Sequence, residues 1–239
     1  MNALAIIPAL NEERNLPGVL QRLRRDAPEW DVCVVDDGST DRTAVVAREH
    51  GALVLRLPMN LGIGGAVQTG YLWAREHNYD VAAQIDGDGQ HEPRFLAEAL
   101  EAIMVGQADF VVGSRYLGAG GFQSTLLRRV GTSYLSSFLR LRCRAKVTDP
   151  TSGFRVAGRR AISLFAANYP VDYPEPEAIA LAIRNGLVIR EIPVVMRNRQ
   201  HGASSIGIGR TIYYLLKVSV ALLLLPGRQQ LARNSETAK

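Results

Sequence analysis

The stretch Gln84-Ile85-Asp86-Gly87-Asp88-Gly89-Gln90-His91 decides how this chain is read. It follows the apolar run Val81-Ala82-Ala83, which predicts a buried strand, and leads into Glu92-Pro93, which predicts a helix start. In extended backbone, residues two apart share a face, so Asp86, Asp88 and Gln90 can project together from the strand's end. Two carboxylates and an amide oxygen, with glycines between them, suit a hard divalent cation, Mg2+ or Mn2+. Such sites usually complete their shell with water and substrate phosphate. A Gly/Asp turn between strand and helix explains the same residues with no ligand, because Asp-Gly is ordinary turn chemistry. The flanking sequence has to choose between the two.

Outward from this stretch, strand and helix signals alternate. Strands are predicted at Leu4 to Ala9, Val32 to Val35, Ala52 to Leu57, Asp80 to Ile85, Asp109 to Gly113 and Leu187 to Val195. Leu16, Val19, Leu20 and Leu23 recur at helical spacing with Arg22, Arg24 and Arg25 on the other side, and Gly62 to His77 and Phe95 to Met104 also read as helices. Alternation of this kind predicts an α/β fold, a parallel sheet with helices on its faces. Ligands on such sheets bind beyond the carboxyl ends of the strands. Three polar clusters fall there: Asn11-Glu12, Asp36-Asp37 and the Asp86/Asp88 pair. The glycines of 60–70 do not fit the G-x-G-x-x-G dinucleotide spacing, so a nicotinamide enzyme is a poor reading. Gly62, Ala66 and Gly70 stand four apart instead and are expected to pack one small helix face on the sheet.

The 239 residues, 47% of them hydrophobic, suffice for one α/β domain with a real core. A net charge of +5 fits an anionic substrate, a membrane surface or nucleic acid. Cys33 and Cys143 sit in settings that give no reason to pair them, which favours a reducing cytosolic compartment. The N-terminus lacks a basic region ahead of its apolar run, so it is expected to be a first strand and not a signal peptide.

From Phe110 to Thr148 there are seven Arg and Lys residues and no Asp or Glu. Within that span Leu126, Leu127, Val130, Tyr134, Leu135, Phe138, Leu139 and Leu141 recur at spacings of three and four. An amphipathic helix with a one-signed flank suits an anionic lipid surface, where each cation adds about 1 kcal/mol. A core helix with a solvated basic edge is the alternative. Nucleic acid is disfavoured because few aromatic residues are interleaved with the basic ones.

Five motifs in order carry a family resemblance: Pro8-Ala9-Leu10-Asn11-Glu12, Asp36-Asp37-Gly38-Ser39, Asn60-x-Gly62, Asp86-Gly87-Asp88-Gly89-Gln90 and Gly113-Ser114-Arg115. Together they resemble the family 2 glycosyltransferases of GT-A fold, and among these the dolichyl- and polyprenyl-phosphate sugar synthases, over about residues 3 to 210. The resemblance implies a Rossmann-like, mostly parallel sheet with helices on both faces, followed by C-terminal amphipathic, membrane-associated helices. It implies that Pro8, Leu10, Glu12 and Asp37 line the base and ribose site of a UDP- or GDP-sugar. Asp86, Asp88 and Gln90 would hold the metal against the diphosphate, with Arg115 serving the same diphosphate or the incoming phosphate. Arg129 and Ser133 match positions that grip the acceptor lipid's phosphate. For Glu12 a helix N-terminal acid, and for Arg115 a surface ion pair, are the plainer alternatives.

Asp149-Pro150-Thr151-Ser152-Gly153-Phe154-Arg155 resembles the family's acceptor-side loop, and Tyr173-Pro174-Glu175-Pro176-Glu177 opens a further helix. Glu175 and Glu177 fit either general bases or N-terminal acids of that helix. A sugar hydroxyl needs a base to lose its proton, whereas a phosphate oxygen is already ionised, so a phosphate acceptor is expected, with either Glu placing acceptor or sugar; Glu177 is the catalytic candidate. Arg199-Gln200-His201-Gly202-Ala203-Ser204-Ser205-Ile206 resembles a loop in which a lysine is usual where Ser205 stands. Arg199 would reach the diphosphate.

Ile212 to Leu225 is apolar apart from Lys217, but about fourteen helical residues rise only roughly 21 Å, short of the ~30 Å hydrocarbon core. The expected organisation is a catalytic domain over 1–206, an interfacial helix over 207–228 and a disordered polar tail over 229–239. The expected protein is an inverting, metal-dependent transferase, peripheral at the cytosolic membrane face, moving sugar from a nucleotide donor to polyprenyl phosphate, with a small membrane partner a possible supplement. Transfer to a hydroxyl of a lipid-linked or soluble glycan is the nearest alternative, and a non-catalytic nucleotide-sugar sensor or membrane scaffold a more distant one.

Overall fold

β1 (Ala3–Ala9) sets the architecture, because its side chains divide between two cores. Leu4 and Ile6 enter one apolar cluster with Tyr71, Phe110, Leu135 and Phe165, while Ala5, Ile7 and Ala9 enter another with Leu16, Leu20, Leu23, Leu96 and Phe154. The two-residue period of a strand sends alternate residues to opposite faces, so a strand apolar throughout must be covered on both. A computed structural model describes residues 1–118, 126–143, 146–171, 174–197, 217–220 and 223, with backbone alone at 126–128.

Among the described residues seven strands form one sheet: β1, β2 (Trp30–Asp36), β3 (Leu53–Arg56), β4 (Val81–Gln84), β5 (Phe110–Ser114), β6 (Arg155–Gly158) and β7 (Ile189–Pro193), in the spatial order β3-β2-β1-β4-β6-β5-β7. β1 is parallel to β2 and β4, β2 to β3, and β5 to β7. β6 runs antiparallel to both β4 and β5. The sheet is therefore mixed, which corrects the expectation from alternation alone. Arg155-Val-Ala-Gly158 is too short, and too polar at its first residue, to announce a strand. Its reversed direction has a consequence for function. The loop preceding β6, residues 149–154, reaches the same sheet edge as the loops following β1, β2, β4, β5 and β7.

Among the described residues the main helices are α1 (Leu16–Asp26), α2 (Thr43–Glu49), α3 (Gly62–Glu76), α4 (Leu96–Met104), α5 (Leu126–Cys143), α6 (Arg159–Ala167) and α7 (Pro174–Arg184). α1 buries Leu16, Val19, Leu20 and Leu23 and leaves Arg24 and Arg25 exposed, as its spacing predicts. α3 corrects one expectation. Ala66 and Gly70 do face the sheet, and a Cβ at Gly70 would lie 2.3 Å from Ile6 Cγ2. Gly62 does not: a Cβ there would meet nothing within 4 Å, and its φ of +79° is what calls for glycine. The third close approach belongs to Gly64, where a Cβ would lie 2.3 Å from the Pro170 carbonyl.

Of the expected C-terminal helix, residues 217–220 are helical and lie against α5, with Val218 and Ser219 buried and Tyr134 Oη 2.9 Å from Ser219 Oγ. Apart from Leu223, which is helical and exposed, the rest of 207–228, the 229–239 tail and the Arg199–Ile206 loop lie outside the described residues.

Candidate functional site

The turns after β1 and β2 hold each other. Asn11, in left-handed backbone at φ 55°, accepts the Thr40 N–H at 3.0 Å and donates its own N–H to Ser39 Oγ at 2.9 Å. Glu12 N–H donates to Thr43 Oγ1 at 2.8 Å, and Arg42 N–H to Glu13 Oε2 at 3.0 Å. Asn tolerates that conformation better than most residues. Asp37, 3% exposed, accepts the Leu61 N–H at 2.7 Å and so ties the start of α3 to the same corner. These bonds frame a cavity of about 310 Å³ at the carboxyl edge of the sheet.

Pro8, Leu10, Glu12, Asp37, Asp86 and Asp88 all line that cavity. Six residues separated by up to 80 positions in the chain thus meet at one place. Glu12 precedes α1 and is not part of its first turn; its carboxylate accepts Asn15 Nδ2 at 2.6 Å, so the helix N-terminal alternative does not describe it. Gln90 is not in the lining: its amide donates to the Arg197 carbonyl at 3.3 Å, and its own carbonyl accepts the Arg197 N–H at 2.9 Å. Arg197 also pairs with Glu92, so the segment after β7 is clasped to the loop carrying the two aspartates.

Asp86 is held closely from two sides. His91, 3% exposed, accepts the Asp86 N–H on Nδ1 at 3.0 Å, which makes it a neutral ring with its proton on Nε2, 3.5 Å from Asp86 Oδ2. Burial pushes the His91 pKa down to about 4, against the pull of Asp88. On the other side Gly153 lies so close that a Cβ would fall 2.6 Å from Oδ2 and 2.9 Å from Oδ1. Asp88 Oδ1 accepts the Gln90 N–H at 3.0 Å, which orients the second carboxylate. Among the described residues no three His, Cys, Asp or Glu side chains gather as a closed metal cage. Two carboxylates on a cavity wall nonetheless fit a Mg2+- or Mn2+-type ion, which takes one or two protein carboxylates and fills its remaining positions from water and phosphate.

Arg115 is neither a surface ion pair nor a lone cation. It is mostly buried, with Nε 2.6 Å from Asp149 Oδ2 and NH2 2.7 Å from Oδ1, and Thr151 Oγ1 is 2.8 Å from the same NH2. Burial works against the charge, but Asp149 outweighs it and holds the guanidinium pKa above its ordinary value; Asp86 adds to the rise. Such a bidentate pair fixes geometry as well as charge. Arg155, 0% exposed, braces the loop from beneath, donating Nε to Ser152 O at 2.9 Å, NH1 to Pro174 O at 3.3 Å and NH2 to Glu175 O at 2.5 Å. It thereby links the 149–154 loop to the first turn of α7.

Of the two glutamates in that turn, Glu175 stands in the field of the site. Burial raises its carboxyl pKa, Arg155 opposes the rise and Asp86 adds to it. Glu177 is partly buried in the same turn and lines neither described cavity of the site.

A second cavity, about 750 Å³, lies along α5 and is lined by Tyr116, Arg129, Ser133, Arg140, Lys146 and Thr148 among others. Arg129 and Ser133, read from the sequence as acceptor-phosphate residues, therefore share one basic pocket. The Arg115–Asp149 pair lines neither cavity, but its chain neighbours Tyr116 and Thr148 line the basic one, and the Asp86 charge contributes to the raised Arg115 pKa. His91, Asp149 and Arg155 had drawn no functional reading of their own from the sequence. A buried histidine following the acidic turn was the available signal, and it is silent until its ring is seen on Asp86.

Comparison with known proteins agrees with this geometry. Residues 4–165 match the model of glycosyl transferase family 2. The chain is 35% identical over 218 residues to the undecaprenyl-phosphate mannosyltransferase of Micrococcus luteus, covering 87% of this chain and 89% of that protein. It is 30% identical over 234 residues to the UDP-N-acetylglucosamine–dolichyl-phosphate N-acetylglucosaminyltransferase of Methanococcus voltae, covering 88% and 93%. Glucosyl-3-phosphoglycerate synthase from Mycobacterium tuberculosis, crystallised with Mn2+, UDP and glucosyl-3-phosphoglycerate, has the same fold, with a TM-score of 0.68 and 22% identity over 93% of this chain and 78% of that one. The family-model match over residues 4–165 and the 35% and 30% identities over most of the chain place it in glycosyl transferase family 2, among relatives that are polyprenyl- and dolichyl-phosphate sugar synthases.

Proposed function

We propose that this protein transfers a sugar, with inversion, from a nucleoside-diphosphate sugar to a polyprenyl phosphate at a membrane surface. One observation carries the reading: an acidic cavity lies at the β1, β2 and β4 ends and a separate basic cavity lies along α5, with the buried Arg115–Asp149 pair next in sequence to Tyr116 and Thr148 of the basic one. The first suits a nucleotide whose diphosphate is held through a cation, and the second an anionic acceptor. The relatives named above act on undecaprenyl or dolichyl phosphate, and the M. tuberculosis structure holds UDP and Mn2+, which supports both halves.

In this reading Pro8, Leu10, Glu12 and Asp37 take base and ribose, and Asp86 and Asp88 hold the diphosphate through Mg2+ or Mn2+. Gln90 bonds Arg197 through Nε2, so Oε1 is the atom it would offer to that set. The bound cation neutralises the charge that grows on the departing diphosphate. Arg129 and Ser133 position the acceptor phosphate, whose oxygen forms a bond to the anomeric carbon as the bond to the diphosphate breaks. A single in-line displacement inverts that carbon. The attacking oxygen is ionised at neutral pH, so no base is needed. Arg199 is assigned to the leaving diphosphate from its motif.

α5 supplies the membrane contact in this proposal. Val130, Tyr134 and Leu141 are 60%, 45% and 87% exposed, and Arg129, Arg140 and Arg142 are exposed among them. Apolar residues flanked by arginines suit an anionic bilayer surface. No helix among the described residues is long and apolar enough to cross a membrane.

Glu175 favours a second reading, transfer to a sugar hydroxyl, because a carboxyl whose pKa burial raises, with Asp86 adding to the rise, suits a general base. One assay separates them. A panel of UDP- and GDP-sugars is offered with polyprenyl phosphate or a glycan acceptor in anionic vesicles, and the products are weighed by mass spectrometry after lipid extraction. A sugar-phosphate lipid is expected; a glycosylated hydroxyl with no lipid product overturns the proposal.

A further inference from the structure

Glu191, on β7, lines neither cavity, yet hydrogen bonds from Thr148, in the lining of the basic cavity, and from the adjacent Asp149 converge on it. Its carboxylate accepts Thr148 N–H on Oε2 at 2.8 Å, and Thr148 Oγ1 and Asp149 N–H on Oε1 at 3.0 and 2.9 Å. An ionised carboxylate can only accept, so the Thr148 hydroxyl must spend its proton there. The contact of 2.7 Å between Ser114 Oγ and Thr148 Oγ1 then has one possible direction, with Ser114 donating. Ser114 Oγ in turn accepts the Tyr116 N–H at 3.2 Å. The result is a directed chain from Tyr116 N–H through two hydroxyls to Glu191. A branch through Asp149 ends on the Arg115 guanidinium.

Both Tyr116 and Thr148 line the basic cavity, and Ser136 of the same lining donates to the Thr148 carbonyl at 3.2 Å. Every polar group of Thr148 is thereby committed, and two of its three are committed to Glu191. The nucleotide cavity depends on other bonds, those between the β1 and β2 turns and from Leu61 to Asp37. From this division we infer that Glu191 is a positioning residue for the anionic acceptor, setting the wall of the basic cavity while leaving donor binding alone. The inference rests on the basic cavity being the acceptor site, as proposed above.

Glu191→Gln is nearly isosteric and replaces one accepting oxygen by an NH2, which must face a donor N–H or O–H. The rearranged Thr148 then alters the pocket wall. The expected effect is a rise on the order of tenfold in KM for polyprenyl phosphate, with kcat and the affinity for UDP with Mn2+ changed by less than about threefold, an effect of the size expected for removing a supporting hydrogen-bond partner. Thr148→Val should reproduce it, and the double variant should be no worse than the more affected single variant, because residues in one network are not additive. Direct binding of farnesyl phosphate, measured by calorimetry, keeps the two levels apart. Wild type that fails to bind the probe overturns both this inference and the acceptor reading beneath it. Wild type that binds, with Glu191→Gln binding equally well, overturns the inference alone. So does a variant whose loss falls on UDP and Mn2+, or singles whose effects multiply.

Discussion

Gly153→Ala tests the acidic site with a single methyl group. The added carbon would stand 2.6 Å from Asp86 Oδ2, 2.9 Å from Oδ1 and 3.1 Å from Cγ, where ordinary contact begins at 3.4 Å. The carboxylate must therefore retreat by about 0.8 Å, and rotation cannot relieve the clash because both oxygens are involved. A misplacement near 1 Å can cost on the order of 100-fold in rate, and disturbing the support of a metal ligand typically costs about 10–100-fold in affinity. Stability should hardly suffer. Gly153 is not in left-handed backbone, so alanine adds no backbone strain, and the about 0.4–1 kcal/mol gained through the unfolded chain offsets part of the cost of displacing the end of one side chain. Mn2+ binding in the presence of UDP, followed by the electron paramagnetic resonance of free Mn2+, should weaken 10–100-fold while the melting temperature stays close to wild type. If Gly153→Ala binds Mn2+ as tightly as wild type, Asp86 is not the carboxylate that holds it, and the assignment of this cavity fails.

Asp88→Ala should lower turnover by on the order of 10²–10³-fold, the cost of losing one charge-stabilising group, with an unchanged circular dichroism spectrum; activity near wild type would remove Asp88 from the site. Gly70→Ala should destabilise the fold, because its Cβ would press on Ile6 Cγ2 at 2.3 Å. Overpacking costs about 1–3 kcal/mol, against which better helix propensity returns about 1 kcal/mol. Chemical denaturation should show a net loss, and combining it with Ile6→Ala, which removes the clashing Cγ2, should cost less than the sum of the two single changes; a stabilised Gly70→Ala would contradict the packing of α3 on β1.

The alternation of apolar runs placed β1, β2, β4 and β5 correctly and put three acidic clusters at one sheet edge, because strand periodicity and connection direction are local properties that survive in a single sequence. The same reasoning failed at β6, where a four-residue strand begins with a fully buried arginine. Such a residue reads as surface until Arg155 is seen bonded to the carbonyls of Ser152, Pro174 and Glu175. It failed again at Gly62, since spacing alone cannot distinguish a glycine chosen for its φ from one chosen for contact. Arg115 offers a third case. Its motif pointed to phosphate, but its partner Asp149 lies 34 residues away and no local pattern links them.

The sequence by itself determined the α/β class, the family and which acidic turns meet around the cavity at the strands' carboxyl ends, because each of those follows from short-range pattern. Only the tertiary structure decided how the groups restrain one another: Gly153 and His91 closing on Asp86, Asp149 holding Arg115, Glu191 gathering the bonds of Thr148. Those contacts join residues from separate elements, and their energies depend on distances set when helices and strands pack together.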